Sequence, residues 1–200
     1  MALQTNSHQI YANLMNEIRV RINFLGSMIA SRDTWPPRLF QEFAYLQLRM
    51  LCEQIALGCL IAHGDIKDKG TLREWHTPRI MREMEKLNPD FYPKGIRVRR
   101  EGENFALDEY LVPQLKREEL IKLWQISGNF LHRGSGKTLV NESPEGPEVD
   151  IDEILSWSNK ILNLMEQHII SSSDKKSHLV VALSSEDHGR QSLITILASP

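Results

Sequence analysis

Pro37–Asp65 reads PRLFQEFAYLQLRMLCEQIALGCLIAHGD, and the fold turns on how this stretch is read. It begins amphipathic, then becomes apolar on every side between Ile55 and Ala62, the pattern of a helix surrounded by its own protein. The spacing predicts one long central helix on which the other elements pack. Pro37 suits its first turn, where a missing amide costs no hydrogen bond, and Gly64 and Asp65 end it. Between Glu42 and His63 the only ionised side chains are Arg49 and Glu53, spaced i,i+4 and so on one face. Ionised groups on so apolar a helix need partners. Either they form an internal ion pair that fixes the packing register, or they face a cleft where Arg49 holds an anion and Glu53 orients it.

Working outward, Asn6 or Ser7 can cap a first helix that runs to about Ala30, with Ile10, Leu14, Ile18, Ile22 and Leu25 at helical spacing. SRDTWPP then makes the short link expected between antiparallel helices. Beyond the central helix, Thr77-Pro78 opens a helix with Ile80, Met84 and Leu87 on one stripe, and Asn88-Pro89 stops it. IRVRR and NFAL, separated by EGE, read as a small hairpin with basic residues on its exposed edge. A late helix spans about Lys116 to Leu131, offers Leu120, Leu123, Trp124, Phe130 and Leu131 to the core, and ends in HRGSGK. Thr138 to Glu148 is rich in turn formers and acids and reads as a loop. Asp150 and Glu153 form a capping box before a last helix carrying Ile154, Leu155, Ile161, Leu162, Met165 and Ile169. HLVVALS and QSLITILA, separated by SEDHGR, read as a C-terminal β-hairpin. The expected architecture is mainly α: a helical bundle over 1–170 and a hairpin appendage over 171–200 packed on it. A lone hairpin is marginal in water, and pairing of its edge with a second copy predicts a homodimer.

The chain has 200 residues, 41% of them hydrophobic and 25% charged, which is an ordinary globular composition able to bury a core without disulfides or metal. Its net charge of -2 hides a basic segment from Lys67 to Arg100 and an acidic one from Glu142 to Glu153. Local charge can therefore carry a partner preference. Cys52 and Cys59, about 10 Å apart along a helix axis, lie beyond disulfide reach. Free buried thiols, with no basic region and apolar signal core at the N-terminus, lead to a cytoplasmic expectation. The wholly apolar run falls far short of the ~18 residues that span a bilayer, so no membrane is expected.

GSGKT at Gly134–Thr138 resembles the end of a phosphate-binding P-loop, yet Leu131 stands where the motif needs glycine. A helix rather than a strand precedes it, so the segment reads as a helix C-terminus. Asn129 and His132 share a face of the last turn, where histidine can be a general acid or base or can bond the final carbonyls. Cys59 and His63 share a face too, but no second pair completes a zinc set, and neither metal nor cofactor is expected. Trp75, Trp124 and Trp157 read as core or rim anchors. Arg97, Arg99, Arg100, Arg133 and Lys137 are the candidate nucleic-acid contacts.

The helix LRMLCEQIALGCLIAHGD, followed by a late helix ending GNFLHRG, resembles the HEPN superfamily of helical bundles. The chain is also similar to a group of uncharacterised bacterial proteins that share the Y-L-Q-L-R-x-x-C-E helix, its A-H-G-D-I end, the late helix end and a C-terminal strand pair. Active HEPN members are metal-independent ribonucleases in which an arginine precedes a histidine by a few positions. His132 matches that histidine, but Gln125, Ile126, Ser127 and Gly128 stand upstream and Arg133 is on the wrong side. The resemblance therefore implies a non-catalytic bundle binding RNA, a nucleotide or a protein partner, in bacterial stress or phage defence. Two alternatives accompany it. One is a metal-independent ribonuclease in which Arg49, Glu53, Asn129 and His132 meet in a cleft; the other is a structural subunit whose C-terminal hairpin docks on another chain.

Overall fold

The computed structural model describes residues 2–63, 74–102, 104–131, 148–172, 175–183 and 193–198. Helix α1 (Ala2–Ala30) and helix α2 (Pro37–Ala62) form an antiparallel pair joined by a 3-10 turn at Arg32–Thr34. Helix α3 (Thr77–Leu87) follows, then strands β1 (Lys94–Glu101) and β2 (Asn104–Glu109), helices α4 (Arg117–Leu131) and α5 (Ile151–Met165), and strands β3 (Gln167–Ser171), β4 (Ser177–Ala182) and β5 (Leu193–Ala198). The protein is mainly helical with a small antiparallel sheet of strand order β2-β1-β3-β4-β5.

Among the described residues, helix α2 lies against all four of the other α-helices. Its buried residues run around the cylinder, with Leu48, Leu51, Cys52, Ile55, Ala56 and Cys59 at 1% exposure or less, as its sequence requires. Burial pushes both thiols far above the usual cysteine range, and both are free. Counted over its whole length, α2 is long and apolar enough to cross a membrane, which the apolar run by itself is not. Of its most apolar window, 61% is buried inside the fold.

The core stripe of α1 holds the expected Ile18 and Leu25 at 0% exposure, with Leu14 and Ile22 partly buried against it, and adds Tyr11 and Met15, while the expected Ile10 is 44% exposed. The helix meets the sheet as well as α2: Tyr11 donates its hydroxyl to His168 Nε2 on β3 at 2.8 Å. Leu87, expected on the α3 stripe, is 56% exposed because the helix ends there.

The expected hairpin of IRVRR and NFAL forms, over the longer strands β1 and β2, and Gly102 after β1 takes φ +63. The C-terminal hairpin also forms as β4–β5, but it is the end of a five-stranded sheet. The element that joins the two hairpins is β3, a segment expected to continue the last helix through Ile169. Instead α5 stops at Met165, and β3 buries His168 and Ile170 while pairing with both β1 and β4. Alternation of buried and half-buried residues along QHIIS is the period of a strand.

At the β1–β3 crossing Gly95 has no room for a side chain: a Cβ there would lie 2.7 Å from the Asn163 carbonyl and from Gln114 Oε1. Gln114 fills that space with its amide, accepting from Gly95 N at 2.9 Å and donating to the Tyr110 carbonyl at 2.8 Å.

Candidate functional site

One stripe of α2 carries Tyr45, Arg49 and Glu53, one helical turn apart, and faces α4 and α5. Arg49 Nε donates to Glu53 Oε1 at 3.2 Å, its Nη1 donates to the Trp124 carbonyl at 3.3 Å, and its Cζ sits 4.1 Å from the Trp124 ring centroid. Trp124 Nε1 donates to the same Glu53 oxygen at 2.9 Å. The two ionised side chains keep 22% and 23% of their surface exposed. Gly128, one turn past Trp124, lets the guanidinium lie against α4, since a Cβ there would stand 3.0 Å from Nη1. The pair expected from the sequence is thus a clamp between α2 and α4, closed by a tryptophan 71 residues from Glu53 in sequence.

His76, just before α3, places its ring edge-on to Trp124 with centroids 4.8 Å apart. Its Nδ1 is buried without a hydrogen-bond partner, as is the hydroxyl of Thr77. One turn N-terminal of Arg49, Tyr45 stacks on Phe130 at 3.8 Å and donates its hydroxyl to Glu153 Oε2 at 2.7 Å. Burial first, and then this bond, push the Tyr45 phenol far above the usual tyrosine range, so it stays protonated and serves as a donor. Glu153 also accepts from Trp157 Nε1 at 3.3 Å. Its carboxylate is therefore turned into the helix seam. Only half of the expected capping box is made: Asp150 accepts from the Glu153 amide at 2.8 Å.

Asn129 lies on the exposed side of α4. His132, Arg133 and Lys137 lie outside the described residues, as do the GSGKT segment and most of the loop expected from Thr138 to Glu148. The site therefore brings Arg49 and Glu53 together and adds Trp124, His76 and Tyr45, which carry no motif. The signal for Tyr45 was its i,i+4 spacing from Arg49; for Trp124 and His76 no local signal exists, because their contact with the pair is made only by folding.

On β1, Arg97 Nη1 donates to Glu166 Oε2 at 2.9 Å and its guanidinium stacks 3.8 Å over the Tyr110 ring. Arg99 bonds Asp108 at 3.0 Å and also pairs with Glu101. Two arginines of the expected basic edge, Arg97 and Arg99, thus carry carboxylates from their own fold. Arg100 occupies the β1 position opposite Phe105. Among the described residues no group of three or more histidine, cysteine, aspartate or glutamate side chains is arranged to hold a metal ion.

Fold and site together define a mainly helical protein with a small antiparallel sheet and an Arg–Glu–Trp clamp between two of its helices. Comparison of the chain with family models, with curated proteins and with solved structures finds no match.

Proposed function

We propose that this chain is a non-catalytic, HEPN-like helical bundle that acts by binding, and that its ligand is another polypeptide rather than RNA or a nucleotide. The observation that carries this reading is the engagement of Arg49. In the absence of the arginine that active family members place before their histidine, Arg49 is the cation that would have to stabilise a phosphorane. Its guanidinium instead holds Glu53, the Trp124 carbonyl and the Trp124 ring. Donors that stabilise a transition state are aimed at the developing charge, not at their own backbone. Breaking a charge-assisted bond and a cation–π contact to free it would cost roughly 2–4 kcal/mol.

Two further features support a polypeptide ligand. Arg97 and Arg99 are neutralised by Glu166, Asp108 and Glu101, and affinity for phosphate backbones draws on cations free to release counterions. Helix α1 also exposes Val20 and Phe24 at 60% and 45%, and α2 exposes Leu39 and Phe43 at 44% and 41%. Large apolar and aromatic side chains are the anchors of polypeptide interfaces.

The test is incubation of the full chain with total RNA under chelator, wild type beside His132→Ala, together with fluorescence anisotropy on single-stranded and duplex RNA across a salt series. Intact RNA in both samples, with no salt-sensitive binding, is the expected result. Cleavage by the wild type that is lost in His132→Ala overturns the non-catalytic reading. Tight RNA binding that weakens with salt and in Arg97→Ala/Arg99→Ala overturns the choice of ligand.

A further inference from the structure

The β1–β2 hairpin stands at one end of the sheet, and among the described residues β1 is the only element in extended contact with β2. The turn closes on the pair Glu101 and Asn104. In an antiparallel hairpin closed by two residues, that pair exchanges its backbone hydrogen bonds, and the direction alternates from there. The backbones of Asn104, Ala106 and Asp108 therefore turn toward β1, while those of Phe105, Leu107 and Glu109 turn outward. The opposite strand bears this parity out: Val98, paired with Leu107, sends its N–H away from β2 to Gln167 Oε1 at 2.8 Å. Side chains alternate as well. Phe105 and Leu107, 69% and 38% exposed, share one face, whereas Ala106 and Asp108 share the other with Arg97 and Arg99.

An edge with outward-turned amides and an apolar face is a template for another strand. We propose that the occupant is β2 of a second copy, running antiparallel about a two-fold axis through Ala106. In that register Phe105 of each copy stands opposite Leu107 of the other as a hydrogen-bonded pair, Ala106 stands opposite Ala106, and Asp108 stands opposite Asn104. The outward groups on both chains meet in phase, two Phe–Leu pairs form on one face, and within Asn104–Asp108 no acid opposes an acid, although Glu109 falls opposite position 103, also a glutamate, just past each end of that segment. A shift of two residues one way sets Phe105 against Glu109 and Ala106 against Asp108. That puts apolar groups against charge, so the edge is self-complementary in the chosen register. A contact of one strand with one strand buries less than the roughly 800 Å² per partner of a standard interface, so pairing depends on concentration, with a midpoint of roughly 10–100 µM. The inference goes beyond the proposed function and holds whether or not the bundle cleaves RNA.

Disulfide trapping tests the register on the full chain. A non-hydrogen-bonded antiparallel pair sets its Cα atoms about 4.5 Å apart, within disulfide range. Ala106→Cys is therefore expected to give a covalent dimer under mild oxidation, and Asp108→Cys, displaced about 13 Å from its own copy, to stay monomeric. The native thiols are buried and do not compete. Sedimentation velocity gives an independent arm. Leu107→Pro removes only an outward amide and leaves the β1 ladder whole, so it abolishes the dimer while the circular dichroism spectrum is unchanged. A wild type that is monomeric at several hundred micromolar overturns the proposal. So does a dimer that survives Leu107→Pro, or equal cross-linking at positions 106 and 108.

Discussion

Arg49 and Glu53 owe their setting to a third residue. An ion pair at i,i+4 on a free helix contributes a few tenths of a kcal/mol, but here Trp124 bonds Glu53 and underlies Arg49. Removing one partner leaves the other charge half-desolvated, whereas removing both leaves an apolar seam. Glu53→Leu is therefore expected to cost about 2 kcal/mol, scaled down from a fully buried pair for the exposure that remains, and Arg49→Met/Glu53→Leu less than about 1 kcal/mol. Urea unfolding midpoints of the two variants compare them directly. At Gly95, where a Cβ would meet a backbone carbonyl at 2.7 Å, Gly95→Ala is expected to cost about 2–3 kcal/mol by displacing β1 from Gln114 and α5. Nothing in the sequence around Gly95 announces this, since the crowding atoms belong to Gln114 and Asn163.

Helices were largely legible as elements because those around α2 each bury one stripe that repeats at 3.6 residues whatever it packs against, while α2 itself is apolar all round. The start of α5 was legible because its cap is local. Asp150 accepts the Glu153 amide, so Asp150→Ala should cost about 1 kcal/mol and lower the thermal midpoint by a few degrees in calorimetry. The reciprocal half of the box was not legible: the Glu153 carboxylate finds Tyr45 and Trp157 in place of its own N-terminus. Strand β3 escaped for a related reason. QHIIS continues the apolar spacing of α5, and only pairing with β1 and β4 makes it a strand. Gly102, by contrast, is a local requirement. With φ +63 it takes the left-handed conformation, and Gly102→Ala should cost about 1 kcal/mol, measured by the same unfolding assay.

Across the whole molecule, the buried contact of Tyr11 with His168 ties the first helix to the sheet. His168 Nδ1 donates to the Met165 carbonyl at 3.0 Å, so Nε2 is the acceptor for Tyr11, and the ring is neutral. Burial pulls its pKa down to about 4 from the ordinary 6.5. The unfolded chain takes up this proton below pH 6.5 and the native chain only near pH 4, so stability is intact above pH 6.5 and is lost progressively as pH falls toward 4. The loss should reach about 3 kcal/mol from this group. Urea titrations between pH 7 and 4 should show that slope in the wild type and a shallower one in His168→Gln.

Taken alone, the sequence determined the helical class, the long apolar α2, the two hairpins and the placing of Arg49 and Glu53 on one face of α2. All of these rest on periodicity, capping and spacing within a few turns of chain. Tertiary structure alone decided that the two hairpins share one sheet through β3, that Trp124 closes the clamp, and that Glu166 and Asp108 neutralise Arg97 and Arg99. Each of those contacts joins residues that are distant in sequence or on different elements. Local propensity holds no record of such partners; they are chosen when apolar faces are buried together and each polar group left among them must find a bond.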